Sequence, residues 1–342
     1  MQLNDVDAMM KKFVVLVGLM ISQSIDAQNT VGNSFPSAVL SFSPVSIATG
    51  GNLISHPNSQ LGLYMDNPAL LDSSVQDKIQ VSYLRYLAKS NASQCFYARH
   101  KNGSKFTSAY GIKYLGFGDL TRYDDQGTYL GDFRAYDASI KAVCSYALDT
   151  NWTIGASTST VVSQLDNNSM WAQTFDLGAH YFKRKGDWTF DVLVKNIGFK
   201  WGGTGNRALY EIPNQWLMGF SKKPKNAPFR WMVTMSQMHE LRNPATPVVY
   251  SINEPKWVTG DQLMRRATVG TEVLLGNVHF LAGYNYQRRA DLRIDQAPGL
   301  AGISMGVGVF TQRWQLVYAW SRYHTASSIH GIQLIFQPFS AL

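Results

Sequence analysis

The chain has 342 residues, of which 45% are hydrophobic, 13% aromatic and only 16% charged, with a net charge of +8. No stretch approaches the roughly 18 consecutive apolar residues of a membrane-spanning helix, which excludes a helical integral membrane protein. Scarce charge with abundant Tyr and Trp suits a β-barrel in lipid, whose apolar surface is spread over alternate residues and whose aromatics gather at two interfaces.

Residues 1–27 read as a secretory signal peptide. Met9-Met10-Lys11-Lys12 supplies a basic start, Phe13 to Ile21 is apolar apart from Gly18, and Ser22 to Ala27 ends at a small cleavage residue. The apolar run is too short to span a roughly 30 Å hydrocarbon core as an anchor. Cleavage would leave Gln28 first and remove Lys11 and Lys12 against Asp5, Asp7 and Asp26, so the remainder is slightly more basic. A basic balance often points to nucleic acid. Behind an export signal it points instead to anionic surfaces such as lipopolysaccharide or acidic periplasmic proteins, and no nucleic-acid partner is expected.

Residues 28–78 lack strand alternation and carry Gly50-Gly51, Pro57, Pro68 and the run Met65 to Leu71. The segment is too apolar for a free tail and precedes the first strand. It is expected to fold back as a plug or hatch, its backbone satisfied by lumen-facing side chains.

Residues 79–342 form the expected barrel. Fourteen segments alternate with period two: 79–87, 93–101, 105–116, 133–147, 151–163, 172–184, 187–197, 213–223, 228–240, 265–275, 278–288, 299–311, 313–323 and 326–337. Trp188, Phe190, Val192 and Val194 share one face, opposite Thr189, Asp191 and Lys195; Trp314, Leu316, Tyr318 and Trp320 form another stripe. In a barrel such stripes face lipid and the polar positions line the lumen. Connections after even-numbered strands are short, with turn residues such as Asn102-Gly103, Lys185-Gly186 and Gly276-Asn277. Four after odd-numbered strands are long: 117–132, 198–212, 241–264 and 289–298. That asymmetry predicts an all-β, 14-stranded antiparallel transmembrane barrel in a Gram-negative outer membrane, with turns and chain ends periplasmic and long loops at the surface.

No catalytic, cofactor or metal site is expected, and no enzyme activity. The seven histidines are scattered, and Cys95 and Cys144 fall in strands that are not neighbours. Lys183-Arg184-Lys185 and Lys222-Lys223 flank short turns, where they would meet either an acidic partner or lipid phosphates. Arg288 and Arg289 fall at the other rim, where lipopolysaccharide phosphate is the natural counter-charge.

Gly50-Gly51 with Asn67-Pro68-Ala69-Leu70-Leu71 resembles the N-terminal signature of FadL-like barrels. Asp176-Leu177-Gly178 with Tyr181, Asn196-Ile197-Gly198, Ala227-Pro228-Phe229-Arg230 and Gly283-Tyr284-Asn285 with Arg288-Arg289 and Leu292 extend the likeness. So do Gly302 to Gly308, Tyr318-Ala319 and His330-Gly331. Together these resemble the PorQ family, barrels of the Bacteroidota type IX secretion system. The resemblance implies a non-enzymatic member of an attachment complex that joins cargo to anionic lipopolysaccharide. Its implied partners are a PorZ-like surface protein, a PorU-like sortase and a PorV-like barrel. The alternative is a FadL-like channel for hydrophobic small molecules, with Asn67, Pro68 and Ala69 in its hatch. That alternative requires a continuous apolar tunnel beside the hatch, and a lumen filled by polar side chains would exclude it.

Overall fold

A computed structural model describes residues 35–57, 62–87, 89–204, 212, 214–238, 260–291, 300–311, 313–324 and 327–338. The expected signal peptide and the first residues of the expected hatch lie outside the described residues, as do 205–211 of the expected loop 198–212, 241–259 of 241–264 and 292–298 of 289–298. Fourteen strands close into an antiparallel barrel in which the first pairs with the last. They are β1 (Lys78–Arg85), β2 (Asn91–His100), β3 (Phe106–Tyr123), β4 (Tyr129–Ala147), β5 (Trp152–Leu165), β6 (Asn168–Lys183) and β7 (Trp188–Gly203). The circuit continues through β8 (Gln215–Lys222), β9 (Phe229–Met235), β10 (Ala267–Leu275), β11 (Val278–Asn285), β12 (Ile303–Phe310), β13 (Trp314–His324) and β14 (Ser327–Phe336). Closure leaves no unpaired edge, which a strand protein in lipid requires.

Alternation sorts the side chains as the sequence implies. Tyr83, Ile112, Ile140, Phe190, Phe220, Trp231, Met305, Tyr318 and Ile332 are all exposed on the outside, around the whole circumference. A closed apolar girdle of this kind is a lipid-facing surface. Gln80, Gln94, Lys113, Asp137, Lys141, Asp176, Asp191, Glu272 and Gln333 are buried in the lumen.

The barrel is uneven in height. β3 to β7 run 14 to 19 residues, whereas β1, β8, β9, β11 and β12 have seven or eight. At about 3.3 Å per residue, one wall stands well above the other at the long-loop end. The expected loop 117–132 is therefore mostly strand, leaving a turn at Asp124–Thr128, where Asp124 accepts from the Gln126 and Thr128 amides. Those bonds hold the exposed Asp124 carboxyl below its usual range. Other bounds shift where helices replace loop or strand: α3 (Gly260–Arg266) leads into β10, and α4 (Tyr286–Asp291) takes the last three residues expected of β11. Asn285 starts α4 because its side-chain oxygen accepts from the Arg288 amide at 2.9 Å, the bond of an N-cap.

The expected hatch lies inside the barrel. It comprises α1 (Pro36–Val39), α2 (Pro44–Ala48) and three single turns of 3-10 helix at Leu63–Met65, Pro68–Leu70 and Ser73–Val75. Proline begins α1, α2 and the second 3-10 turn, where its missing N–H is not needed. Phe42, Val45, Leu63, Tyr64, Met65 and Leu71 are fully buried against Leu84, Phe96, Ala98, Ala109, Leu115, Val317, Ala319 and Ile329 of the wall. At about 1.5–3 kcal/mol per large side chain, this contact is the main force holding the hatch in.

Candidate functional site: the seat of the hatch in the lumen

Two pairs of glycines shape the wall where the hatch touches it. Gly155 on β5 lies directly across from Gly178 on β6. A Cβ at Gly155 would stand 2.3 Å from Ala69 N and from Pro68 C, and one at Gly178 2.5 Å from Asn67 Oδ1. The wall is thus dented to admit the Asn67-Pro68-Ala69 turn. Gly270 on β10 and Gly283 on β11 form a second cross-strand pair. There a Cβ at Gly283 would lie 2.2 Å from the carbonyl carbon of Thr49 and 2.4 Å from Gly50 N. Backbone sits in both dents, so neither can accept a side chain by a rotamer change.

Around the dents, wall side chains satisfy the hatch backbone and its few polar groups. Asn67 donates to Ile54 O at 2.8 Å and to Asp191 Oδ1 at 2.9 Å, and the same carboxylate oxygen lies 2.8 Å from His180 Nδ1. Asn67 Oδ1 accepts from the Ala69 amide at 3.1 Å, which fixes the turn. Lys141 donates to Met65 O at 2.9 Å and to Asp176 Oδ2 at 2.6 Å; Asp176 also accepts from Ser157 Oγ and the Asn196 amide. Asp137 accepts from the Ser37 amide at 3.0 Å, Ser145 donates to Leu71 O at 2.6 Å, and Asn285 donates to Gly50 O at 3.1 Å. His56 of the hatch and His279 of β11 both meet Glu272, at 2.9 and 2.7 Å. In a buried setting, each of these groups would cost free energy if left without its partner.

Glu272→Leu removes the acceptor shared by two buried imidazoles. It is expected to destabilise the barrel by about 1–3 kcal/mol, read as a lower urea midpoint with unchanged slope.

The lumen holds no open tunnel among the described residues. A recess of about 20 Å³ remains between Ser37 and the Lys113, Lys141 and Lys195 side chains, room for one water. An open cleft of about 810 Å³ lies at the short-turn mouth, lined by Lys78, Phe310, Arg313 and Trp314 among others. The inner wall is divided. Over β1–β3 and β11–β14, apolar residues such as Leu84, Phe96, Leu115, Val317 and Ile329 face the hatch core between buried polar ones such as Gln80, Gln94, Gln315 and Gln333, and over β3–β7 the charged residues Lys113, Asp137, Lys141, Asp176 and Asp191 gather.

Asn67, Pro68 and Ala69 thus lie together in the lumen, against a dent in the wall. Arg288 is not a free rim cation: its guanidinium stacks 4.2 Å from the Tyr323 ring centroid and donates to Ser321 Oγ at 3.0 Å. It faces Gly51 of the hatch, because α4 folds inward over the barrel mouth. Arg289 follows it on α4, while Lys183, Arg184 and Lys185 are exposed at the opposite end. The five residues are not one site. Cys95 and Cys144 are both free thiols.

The fold aligns with the Ralstonia pickettii toluene transporter TbuX at 12% identity and a TM-score of 0.52, covering 87% of this chain and 97% of that one. The Pseudomonas putida toluene transporter TodX aligns at 12% identity and 0.50, covering 90% and 98%. The barrel fold is shared with these transporters. A Pseudomonas aeruginosa FadL homologue also aligns, at 9% identity and a TM-score of 0.44, covering 88% and 99%. No family model and no curated protein matches the chain.

Proposed function

We propose that the chain is an outer-membrane channel for small apolar molecules, gated by its N-terminal hatch. The observation that carries this reading is the hatch itself, which fills the lumen as a segment separate from the strands and packs on apolar wall residues such as Leu84, Phe96, Leu115, Val317 and Ile329 by non-covalent contacts alone. With the hatch seated no open tunnel runs among the described residues, so the reading requires the hatch to move; displacing it would join the lumen, with its apolar patches on β1–β3 and β11–β14, to the cleft at the short-turn mouth. The shared fold of two toluene transporters supports the same solute class. Cells carrying the barrel are expected to take up a radiolabelled monoaromatic hydrocarbon several-fold faster than cells without it; equal rates would overturn the reading.

A second reading has one observation in its favour. The tall β3–β7 wall exposes Tyr123, Tyr129, Leu130, Phe199 and Trp201 toward its upper end, a surface that lipid does not need. This suits a barrel that holds surface proteins, as in the attachment complex of type IX secretion with PorZ-, PorU- and PorV-like partners. Removing 120–130 would then abolish co-purification of such a partner, and unchanged co-purification would refute a docking role for this hairpin.

A further inference from the structure

We infer that the outside of the barrel, at its short-turn end, carries a binding site for an anionic glycerophospholipid. The site is a row formed by register. Lys183 on β6 pairs with Trp188 on β7, Trp188 with Lys222 on β8, and Lys222 with Trp231 on β9. Lys183, Lys222 and Trp231 are exposed and Trp188 half-buried, so the row lies on the lipid side of the wall. Lysine and tryptophan therefore alternate around the barrel at the strand spacing of about 4.8 Å. The two ammonium groups flank one indole, within reach of a shared phosphate.

The next rung toward the membrane centre is apolar: Tyr181, Phe190, Phe220 and Val233 follow one another across the same four strands. Ring centroids are 5.2 Å apart from Tyr181 to Trp188 and 6.1 Å from Trp188 to Phe220, and Trp152 adds a ring 4.8 Å from Tyr181. Charge above an apolar, largely aromatic rung matches a headgroup above its glycerol and acyl chains, with Trp at interface depth. Lys183 Nζ lies 6.0 Å from the Trp188 ring centroid, so its stem lies along the wall.

The two ends of the barrel differ in how their cations are balanced. At the long-loop end Arg122 pairs with Asp166, Arg134 with Asp119, and Arg265 with Asp261 and Asp291. Among the described residues neither the Lys183 nor the Lys222 side chain has a hydrogen-bond or ion-pair partner. The nearby Asp187 is held by Arg230 at 2.7 Å. An acidic protein would also supply charge, but it would not explain the largely aromatic rung beneath it. The phospholipid does, and this site stands whatever passes through the lumen.

The test offers the detergent-purified barrel an equimolar mixture of phosphatidylglycerol and phosphatidylethanolamine and reads retained lipid by native mass spectrometry. Phosphatidylglycerol is expected to be enriched, and K183Q/K222Q to lower that enrichment roughly 30-fold, as two interfacial lysines imply. K183R/K222R should keep it, and neither excess inorganic phosphate nor lipid A should displace the lipid. A heat-modifiable gel shift confirms that each variant is folded. Equal retention of both lipids, enrichment surviving K183Q/K222Q, or displacement by phosphate or lipid A would each overturn the site.

Discussion

Gly155→Val is expected to unseat the hatch. The added side chain would begin 2.3 Å from the backbone of Pro68 and Ala69, and backbone cannot turn aside as a side-chain tip can. β5 cannot yield either, since it is hydrogen-bonded on both sides to β4 and β6. The hatch must therefore lose its turn at Asn67, and with it the bonds to Ile54 O and Asp191. The loss is expected to reach about 3 kcal/mol or more. Because the barrel closes without the hatch, the variant should still insert. The measurement is entry of a large polar antibiotic into cells: it should rise with Gly155→Val and stay at the native level with Gly260→Val, where an added side chain meets nothing within 4 Å.

The second large effect is at Asp176. Its carboxylate holds Lys141, which in turn holds Met65 of the hatch, and Lys113 and Lys195 line the same recess. Asp176→Leu would leave Lys141 buried without its counter-charge beside two more ammonium groups. Breaking one side of a buried pair costs about 3–5 kcal/mol, expected here as a fall in the urea midpoint. The double change Asp176→Leu with Lys141→Met should recover part of the loss, because the Lys141 charge is gone while Lys113 and Lys195 still lack the carboxylate. Two additive losses would show that the pair is not the unit.

The parts of the fold legible in the sequence are those set by lipid. Phe190 and Tyr318 face outward because their strands alternate, and the short turns announce themselves by Asn-Gly and Gly-Asn. Where lipid no longer touches a strand, that signal vanishes. Leu120 and Arg122 pair with Phe133 and Gly131 above the girdle, with water available to both faces, so nothing in the alternation marks them as strand. Arg288 was misleading for another reason: the Asn285 cap that turns α4 inward depends on a bond, not on a pattern.

The seat of the hatch was legible only in its hatch half. Asn67-Pro68-Ala69 stands out as a turn motif, but its receiving surface does not. Gly155 and Gly178 read singly as weak strand positions, and become a dent only once the β5–β6 register puts them opposite each other. His56 and Glu272 are 216 residues apart, and nothing near either one names the other. Contacts of that range follow from closure of the barrel, which fixes every lumen-facing position at once.

The account rests on the hatch being a gate, and the pair Ser55 and Thr189 tests that most directly. Their hydroxyl oxygens lie 2.8 Å apart, one on the hatch and one on β7, close enough for a disulfide in the Ser55→Cys/Thr189→Cys variant. With Cys95 and Cys144 replaced by alanine, uptake of a radiolabelled monoaromatic hydrocarbon is measured in oxidised cells and again after reduction. A gate predicts uptake near the barrel-free rate when oxidised and full recovery on reduction. Uptake that is the same in both states would contradict it.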